Sequence, residues 1–226
     1  MKERFDFPAH TWDWGAMGDE DKLHWSLCGS VSYSLMDRWK LNAGDKKPRV
    51  LDLGCGMGRN SLKMSQNGLE TYGLDIDEMP LVIAKSNANR MAEQITYVQG
   101  DMRCMPFASN FFDAVFADNI LSLTSHNGLV QTIDEIHRVL KPHGEAFMVF
   151  TDKSMPLLQT GQMVDQNTIK LHAQYGKHSA VATFVDEDIL KRALRGFSVL
   201  DKSGILHGYK PDRFHHMVLA MKTKER

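Results

Sequence analysis

The sequence predicts an α/β fold: a doubly wound, mostly parallel sheet with helices on both faces. Three observations carry that expectation. From residue 49 onward short apolar runs alternate with amphipathic stretches of helical period; the first run breaks into the glycine-rich turn Gly54-Cys55-Gly56-Met57-Gly58; and acids stand just past the ends of several runs. Strand–helix alternation of this kind implies right-handed crossovers, which place helices on both faces of a parallel sheet. Strands covered on both faces read as continuous apolar runs, as Val50, Leu51 and Leu53 do.

The first strand is expected over residues 50–53, followed by a helix from near Gly58 to Gln66. Asn67-Gly68 stops that helix, with Gly68 suited to the left-handed cap. Residues 71–74 form the second strand. Asp77 then caps a helix whose apolar positions Leu81, Ala84, Ala88 and Met91 keep helical spacing, with Pro80 tolerated in its first turn. Residues 95–98 and 112–117 supply strands three and four. Leu129, Ile133, Ile136 and Leu140 draw a helical stripe that Pro142 and Gly144 end, and residues 146–150 make strand five. After Thr151 the rhythm changes to a long polar stretch reaching about His178. A helix over residues 186–195 follows, capped by Asp186 and stopped by Gly196, and then come strands at 197–200 and 216–221. Residues 1–48 hold no strand pattern, and 23–41 read as one or two helices packed across the top of the sheet. No internal repeat or low-complexity segment is present.

At 226 residues, with 42% hydrophobic and 24% charged residues, the chain fits a single domain with a full-sized core. Its net charge is −1, with lysines and arginines scattered, so it lacks the footprint of a nucleic-acid or anionic-membrane binder and a small-molecule partner is expected. Cys28, Cys55 and Cys104 are odd in number and far apart, which disfavours a disulfide framework or a thiolate zinc site; no metal is expected. A reducing cytoplasm suits them. The first residues have no signal-peptide core, and no run of about 18 apolar residues occurs.

Ligands of such sheets bind outside the carboxyl ends of the strands. The glycine turn lets the chain bend sharply and a ligand approach the backbone, and the helix that follows offers free N–H groups and a positive dipole end. Asp75 closes strand two, 21 residues after Gly54, where a carboxylate can accept both hydroxyls of a ribose. Asp77 reads as a helix cap instead. Asp101 follows strand three, placed to take an amino proton from adenine while Met102 packs on the ring.

Taken together, Val50-Leu51-Asp52-Leu53-Gly54-Cys55-Gly56-Met57-Gly58, Gly73-Leu74-Asp75-Ile76, Gly100-Asp101-Met102-Arg103-Cys104-Met105-Pro106-Phe107 before Phe112-Asp113-Ala114-Val115, and Glu135-Ile136-His137-Arg138-Val139-Leu140-Lys141-Pro142-His143-Gly144 occur in the right order and spacing. Over residues 45–151 the chain resembles the class I S-adenosylmethionine-dependent methyltransferases. Gly58-Arg59-Asn60-Ser61-Leu62 also looks like the tellurite-resistance and thiopurine-type branch, which acts on small molecules. The resemblance implies a Rossmann-like seven-stranded sheet of order 3-2-1-4-5-7-6 with the last strand antiparallel. It implies one domain over 1–226: an N-terminal helical lid at 1–48, a cofactor-binding core at 49–151, and a substrate-side insertion with C-terminal strands at 152–226. The implied cofactor is S-adenosylmethionine. Its site would draw on Asp52, Gly54, Cys55, Gly56, Gly58, Asn60, Asp75, Ile76, Asp101, Met102 and Asp118, with Asp118 and Asn119 near the methionine end or the transferred methyl.

The sequence departs from the family in two places. His143 stands where Lys-Pro-Gly-Gly is common, a surface-turn change expected to matter little. Asp118-Asn119-Ile120-Leu121 is not the Asn/Asp-Pro-Pro-aromatic motif used against a flipped base, which argues against a nucleic-acid substrate. Methyl transfer from a sulfonium needs little beyond in-line placement, so few catalytic groups are expected. If a base is used, His126, His178 and His207 are candidates beside Asp118 and Asn119; a loop or surface histidine is the plainer reading of each. Trp12, Trp14, Trp25, Tyr33 and Trp39 read as core or lid packing before a substrate-cation site. Two alternatives stand beside the enzyme: a non-catalytic S-adenosylmethionine-binding partner, and an NAD(P)-dependent oxidoreductase, which Arg59 at the third dinucleotide glycine position disfavours. A monomer or homodimer is expected.

Overall fold

The computed structural model describes residues 29–153, 161–170, 181–206 and 214–223. Helix α1 (Gly29–Ala43) leads into β1 (Arg49–Leu53), α2 (Arg59–Gln66), β2 (Glu70–Asp75), α3 (Glu78–Arg90), β3 (Ile95–Gln99) and β4 (Phe112–Ala117). Then follow α4 (His126–Val139), β5 (Leu140–Thr151), β6 (Gln162–Asp165), β7 (Thr168–Lys170), β8 (Val181–Thr183), α5 (Glu187–Ala193), β9 (Phe197–Leu206) and β10 (Phe214–Lys222). Seven strands form one sheet of order β3-β2-β1-β4-β5-β10-β9, with β6, β7 and β8 in a separate antiparallel sheet. Counted within the large sheet alone, β9 and β10 are its sixth and seventh strands, so the expected order 3-2-1-4-5-7-6 is the order found. Only β10 runs against the direction of the other six strands.

Hydrophobic burial explains both layers. On one face the α4 stripe of Leu129, Ile133, Ile136 and Val139 packs with Leu51, Leu53, Val115, Met148 and Phe150 of the sheet and with Ile189 and Leu190 of α5. On the other, Leu35, Met36 and Trp39 of α1 pack with Met64 of α2 and with Val50, Phe116, Phe147 and Val149. The caps act as their residue types require. Asp77 accepts from the Met79 N–H, Ser125 from the Gly128 N–H, and Asp186 from the N–H groups of Asp188 and Ile189.

Several elements differ from expectation, each for a physical reason. Helix α1 does not cross the top of the sheet. Its apolar stripe buries against the face, and Arg38 and Asn42 near its end bond Glu145 at 2.7 and 3.1 Å, near the start of β5 and far from the carboxyl edge. Residues 1–28 lie outside the described residues. The α4 stripe ends one residue early: Leu140 is already extended and starts β5, because Pro142 cannot continue a helix. Between Phe112↔Leu140 and Ala114↔Glu145 the register jumps, and residues 141–144 bulge out of the sheet. His143 in that bulge has φ +65°, a left-handed backbone that costs a side-chain-bearing residue about 1–2 kcal/mol. The exchange of glycine for His143 therefore does carry an energetic cost. Met91 is not part of the buried α3 stripe; it lies past the helix end and is exposed. The polar stretch contains β6, invisible to hydrophobic patterning because every residue of it is exposed, and β7, only three residues long.

Candidate functional site

The site is built where β1, β2, β3 and β4 end. Past Leu53 the chain doubles back, and the N–H groups of Gly54 and Cys55 both bond the Leu74 carbonyl, at 2.8 and 3.0 Å. Gly54 has φ +71°, and a Cβ there would overlap the Ile120 side chain, reaching 2.8 Å from its Cβ. Ile120 thus lies directly on the turn. Gly58 has φ +81°, and its missing Cβ leaves room for the Tyr97 hydroxyl and Ala84 beneath. Gly58 also begins α2 without a side-chain cap, so the first N–H groups of that helix have no side-chain partner at the cap position.

Two carboxylates hold the turn. Asp75 Oδ2 accepts the Gly56 N–H at 2.8 Å and Oδ1 the Asp77 N–H at 3.0 Å, so the last residue of β2 clamps the loop after β1. Burial raises its pKa, against the pull of those N–H groups. Asp52 sits beneath the turn, 2% exposed, and accepts the Ser61 hydroxyl at 2.5 Å, tying β1 to the first turns of α2. Desolvation pushes its pKa up to about 7, with the charge of Asp118 adding to the rise. Cys55 is buried beside it, and burial drives its thiol pKa well up. Asn60 is half-buried in the first turn of α2.

Around this centre the other strand ends converge. The Gly100 N–H bonds the Asp75 carbonyl at 2.9 Å, and Gln99 Nε2 bonds the Ile76 carbonyl at 3.1 Å. Asp101 is already engaged: Arg103 bonds both of its oxygens, with Nη2–Oδ2 at 2.6 Å, and the Arg103 N–H bonds Oδ1 at 2.8 Å. Burial opposes ionisation there, but the Arg103 bonds win and hold Asp101 below the ordinary carboxylate range. Met102 is half-buried against the core. Past β4, the Asp118 side chain is 5% exposed; Arg59 Nη2 approaches it at 3.9 Å and Asn119 Nδ2 at 2.8 Å. Asn119 takes φ +56°, which turns the chain over the sheet edge.

The structure therefore gathers Asp52, Gly54, Cys55, Gly56, Gly58, Asn60, Asp75, Ile76, Asp101, Met102 and Asp118 around adjoining strand ends, but not in equivalent positions. Asp52 is enclosed beneath the turn and faces Ser61, so it can act on a ligand only through the loop. His126 is not in a loop; it is the first residue of α4, its N–H bonded to the Thr168 hydroxyl at 2.9 Å and its Nδ1 buried without a hydrogen-bond partner. No described bond ties it to the glycine turn. Trp39 is core, edge-on to Phe116, and Tyr33 is exposed on α1. His178, His207, Trp12, Trp14 and Trp25 lie outside the described residues. Sequence reasoning missed Ile120, Arg59, Tyr97 and Arg103. Ile120, an apolar residue after Asp118-Asn119, was the one with a visible signal. Among the described residues no cluster of three or more His, Cys, Asp or Glu is arranged to hold a metal, and no helix is long and apolar enough to cross a membrane.

Comparison with known proteins adds an independent line. Residues 50–144 match the family model described as a methyltransferase domain. A biotin biosynthesis bifunctional protein from Saccharophagus degradans is 30% identical over 182 residues, covering 79% of this chain and 32% of its own length. The matched region spans between about a third and a half of the first curated relatives. Among solved structures, an S-adenosylmethionine-dependent methyltransferase from Methanosarcina mazei superposes with a TM-score of 0.70 at 18% identity, over 82% of this chain and 97% of that one. The Burkholderia thailandensis 1,6-didemethyltoxoflavin-N1-methyltransferase, with its substrate and S-adenosylhomocysteine bound, gives 0.67 at 18% identity, over 91% and 83%.

Proposed function

We propose that this protein, whose residues 50–144 match a methyltransferase-domain family model, is a class I S-adenosylmethionine-dependent enzyme that binds S-adenosylmethionine and transfers its methyl group to a small-molecule acceptor. The observation that carries the reading is the clamp between β1 and β2: a left-handed glycine turn held by Asp75, opening onto a helix start with no side-chain cap. Such a start favours an anionic group, here the carboxylate of a methionine moiety. Gly54, Cys55, Gly56 and Gly58 would line the methionine part, with Asn60 at the helix start. Asp75 and Ile76 would hold the ribose, Asp101 and Met102 the adenine, and Asp118 with Asn119 would stand nearest the transferred methyl. Asp52 supports the turn through Ser61.

When bound, the cofactor supplies a methyl group already activated by its sulfonium. The chain's contribution is then placement: a turn that Asp75, Ile120 and Tyr97 keep in one shape lowers the entropic cost of in-line alignment. Residues 49–151 would serve as the cofactor core and 152–226 as the acceptor side, where loops carry specificity. By their names the bifunctional relative serves biotin biosynthesis and the toxoflavin neighbour methylates 1,6-didemethyltoxoflavin, which supports a small acceptor over a nucleic acid; a reducing cytoplasmic setting and a monomer or homodimer belong to the same proposal. A cofactor-binding partner without turnover is the second reading, since nothing in the clamp requires transfer.

Calorimetry with S-adenosylhomocysteine tests the first step. Wild type should bind, and Asp75→Ala should bind at least about tenfold more weakly, as loss of a half-buried charged acceptor entails. No heat from wild type, with clear binding of a nicotinamide dinucleotide, would overturn the reading. Tritiated S-adenosylmethionine and a screen of small acceptors then separate an enzyme from a binder.

A further inference from the structure

Arg38, Arg49, Arg103 and Arg138 each hydrogen-bond a carboxylate, at 2.7, 2.9, 2.6 and 2.6 Å. Arg59 does not. Its Nη1 is buried without a hydrogen-bond acceptor, and its Nη2 stops 3.9 Å from Asp118 Oδ2, beyond hydrogen-bond length. The side chain is nevertheless no free surface group, being only 33% exposed.

The guanidinium stands over the cleft between two strand ends. Arg59 is the first residue of α2, directly after Gly58, and Ser61 two residues on is tied to Asp52 of β1. Asp118 follows Ala117, the last residue of β4. In the sheet β1 lies between β2 and β4, and the chain winds outward from it in both directions. Arg59 therefore spans the point where the strand order reverses, which is where ligands of such sheets bind. Its charge also reaches beneath the glycine turn, where it favours the ionised form of Asp52 while Asp118 opposes it.

A structural role accounts for little of this arrangement. A partly exposed ion pair adds little stability even at close range, and Asp118 already receives the Asn119 Nδ2 at 2.8 Å. The position itself is unfavourable, because α2 has no acid in its first turn and a cation there opposes the positive end of the helix dipole. A buried N–H without an acceptor adds a second cost. Two local rules broken by one side chain, at a strand-end turn, mark a group held for a ligand. The donor names the ligand's chemistry: the planar N–H pairs of a guanidinium match the two oxygens of a carboxylate.

Resting on the methyl-transfer reading, we propose that Arg59 is a carboxylate-recognition residue, which binds a carboxylate of a small molecule seated between the glycine turn and Asp118 and so restricts what the site accepts. Two sources carry that group: the methionine end of the cofactor, where Arg59 adds a charged contact to the helix start, or an acceptor that is itself a carboxylic acid.

The test uses the full chain and calorimetry. S-adenosylhomocysteine and its decarboxylated analogue address the cofactor; benzoate and benzamide, titrated into the S-adenosylhomocysteine-loaded protein, address the acceptor. If the carboxylate is the cofactor's, wild type should prefer S-adenosylhomocysteine over the analogue by about tenfold or more, and Arg59→Gln should erase that preference. If it is the acceptor's, wild type should prefer benzoate over benzamide by about tenfold or more, and Arg59→Gln should erase that preference while binding S-adenosylhomocysteine within about twofold of wild type. Arg59→Lys, which keeps the charge and loses the fork, should recover only part of the lost preference. Where the variants do not fold, NMR of wild type decides: the Arg59 side-chain nitrogen resonances should shift with one carboxylate ligand and not with its neutral counterpart. No preference in wild type, a preference that survives in Arg59→Gln, or unmoved Arg59 resonances each overturns the proposal. If wild type binds S-adenosylhomocysteine and neither preference depends on Arg59, the Arg59 assignment falls and the cofactor reading stands. If wild type binds neither S-adenosylhomocysteine nor its analogue, both fall.

Discussion

Asp52→Asn should remove a pH dependence of stability that wild type carries through the neutral range. The Asp52 carboxyl is 2% exposed, and its hydrogen bonds from Ser61 do not make up for lost hydration, so its pKa rises from 3.8 to about 7. The folded state therefore keeps the acid proton where the unfolded chain has released it. Stability from this group is fully present below the unfolded value and is lost as pH rises through about 7. A displacement of about three pH units corresponds to roughly 4 kcal/mol in full, of which about 2–3 kcal/mol falls between pH 5 and 8. Asparagine keeps the acceptor for the Ser61 hydroxyl and cannot ionise. Urea denaturation of both proteins at half-unit steps from pH 5 to 8.5 should thus show the variant gaining on wild type by about 2–3 kcal/mol across the range. Two curves that stay parallel to within about 0.5 kcal/mol would refute the reasoning, and would mean that Asp52 is ionised in the fold throughout.

Three further outcomes follow from the same geometry. Gly54→Ala should destabilise by roughly 2–4 kcal/mol in urea melts, through positive φ and overlap with Ile120; adding Ile120→Ala should recover only the overlap part. His143→Gly should stabilise by about 0.5–1 kcal/mol, because it relieves a left-handed non-glycine residue in an exposed bulge, and an unchanged or lower midpoint would count against that strain. Arg103 fills the acceptor positions of Asp101 that an adenine amino group would use, so Arg103→Ala should tighten S-adenosylhomocysteine binding about two- to fivefold by calorimetry. Weaker binding by that variant would show that Arg103 assists the ligand instead.

Much of this architecture was legible in the chain because the strands of a parallel sheet are covered on both faces, which leaves unbroken apolar runs, and because the breaks between them use residues with few alternative roles. Gly54, Gly58, Gly68 and Gly196 all take positive φ, as their places after strands and helices suggested. Asp77 and Asp186 cap the helices they precede. Elements whose burial is one-sided or absent left no such trace. β6 is exposed throughout, and β9 continues through the exposed residues Asp201, Lys202 and Ser203, so their pairing partners and not their composition make them strands.

The sequence by itself determined where the glycine turn and the acids stand, since spacing alone puts a glycine turn after β1 and carboxylates at or just past the ends of β2, β3 and β4. Only the tertiary structure decided what each carboxylate does, because hydrogen-bond partners come from distant parts of the chain. Asp75 meets the Gly56 N–H and clamps the turn; Asp52 is shut beneath it with Ser61; Asp101 is taken by Arg103; and Asp152 meets His216, 64 residues away, only because β10 returns antiparallel beside β5. Local sequence can specify a residue's type and its place on an element. Its protonation, exposure and partner are set by the dielectric and donors that folding assembles around it.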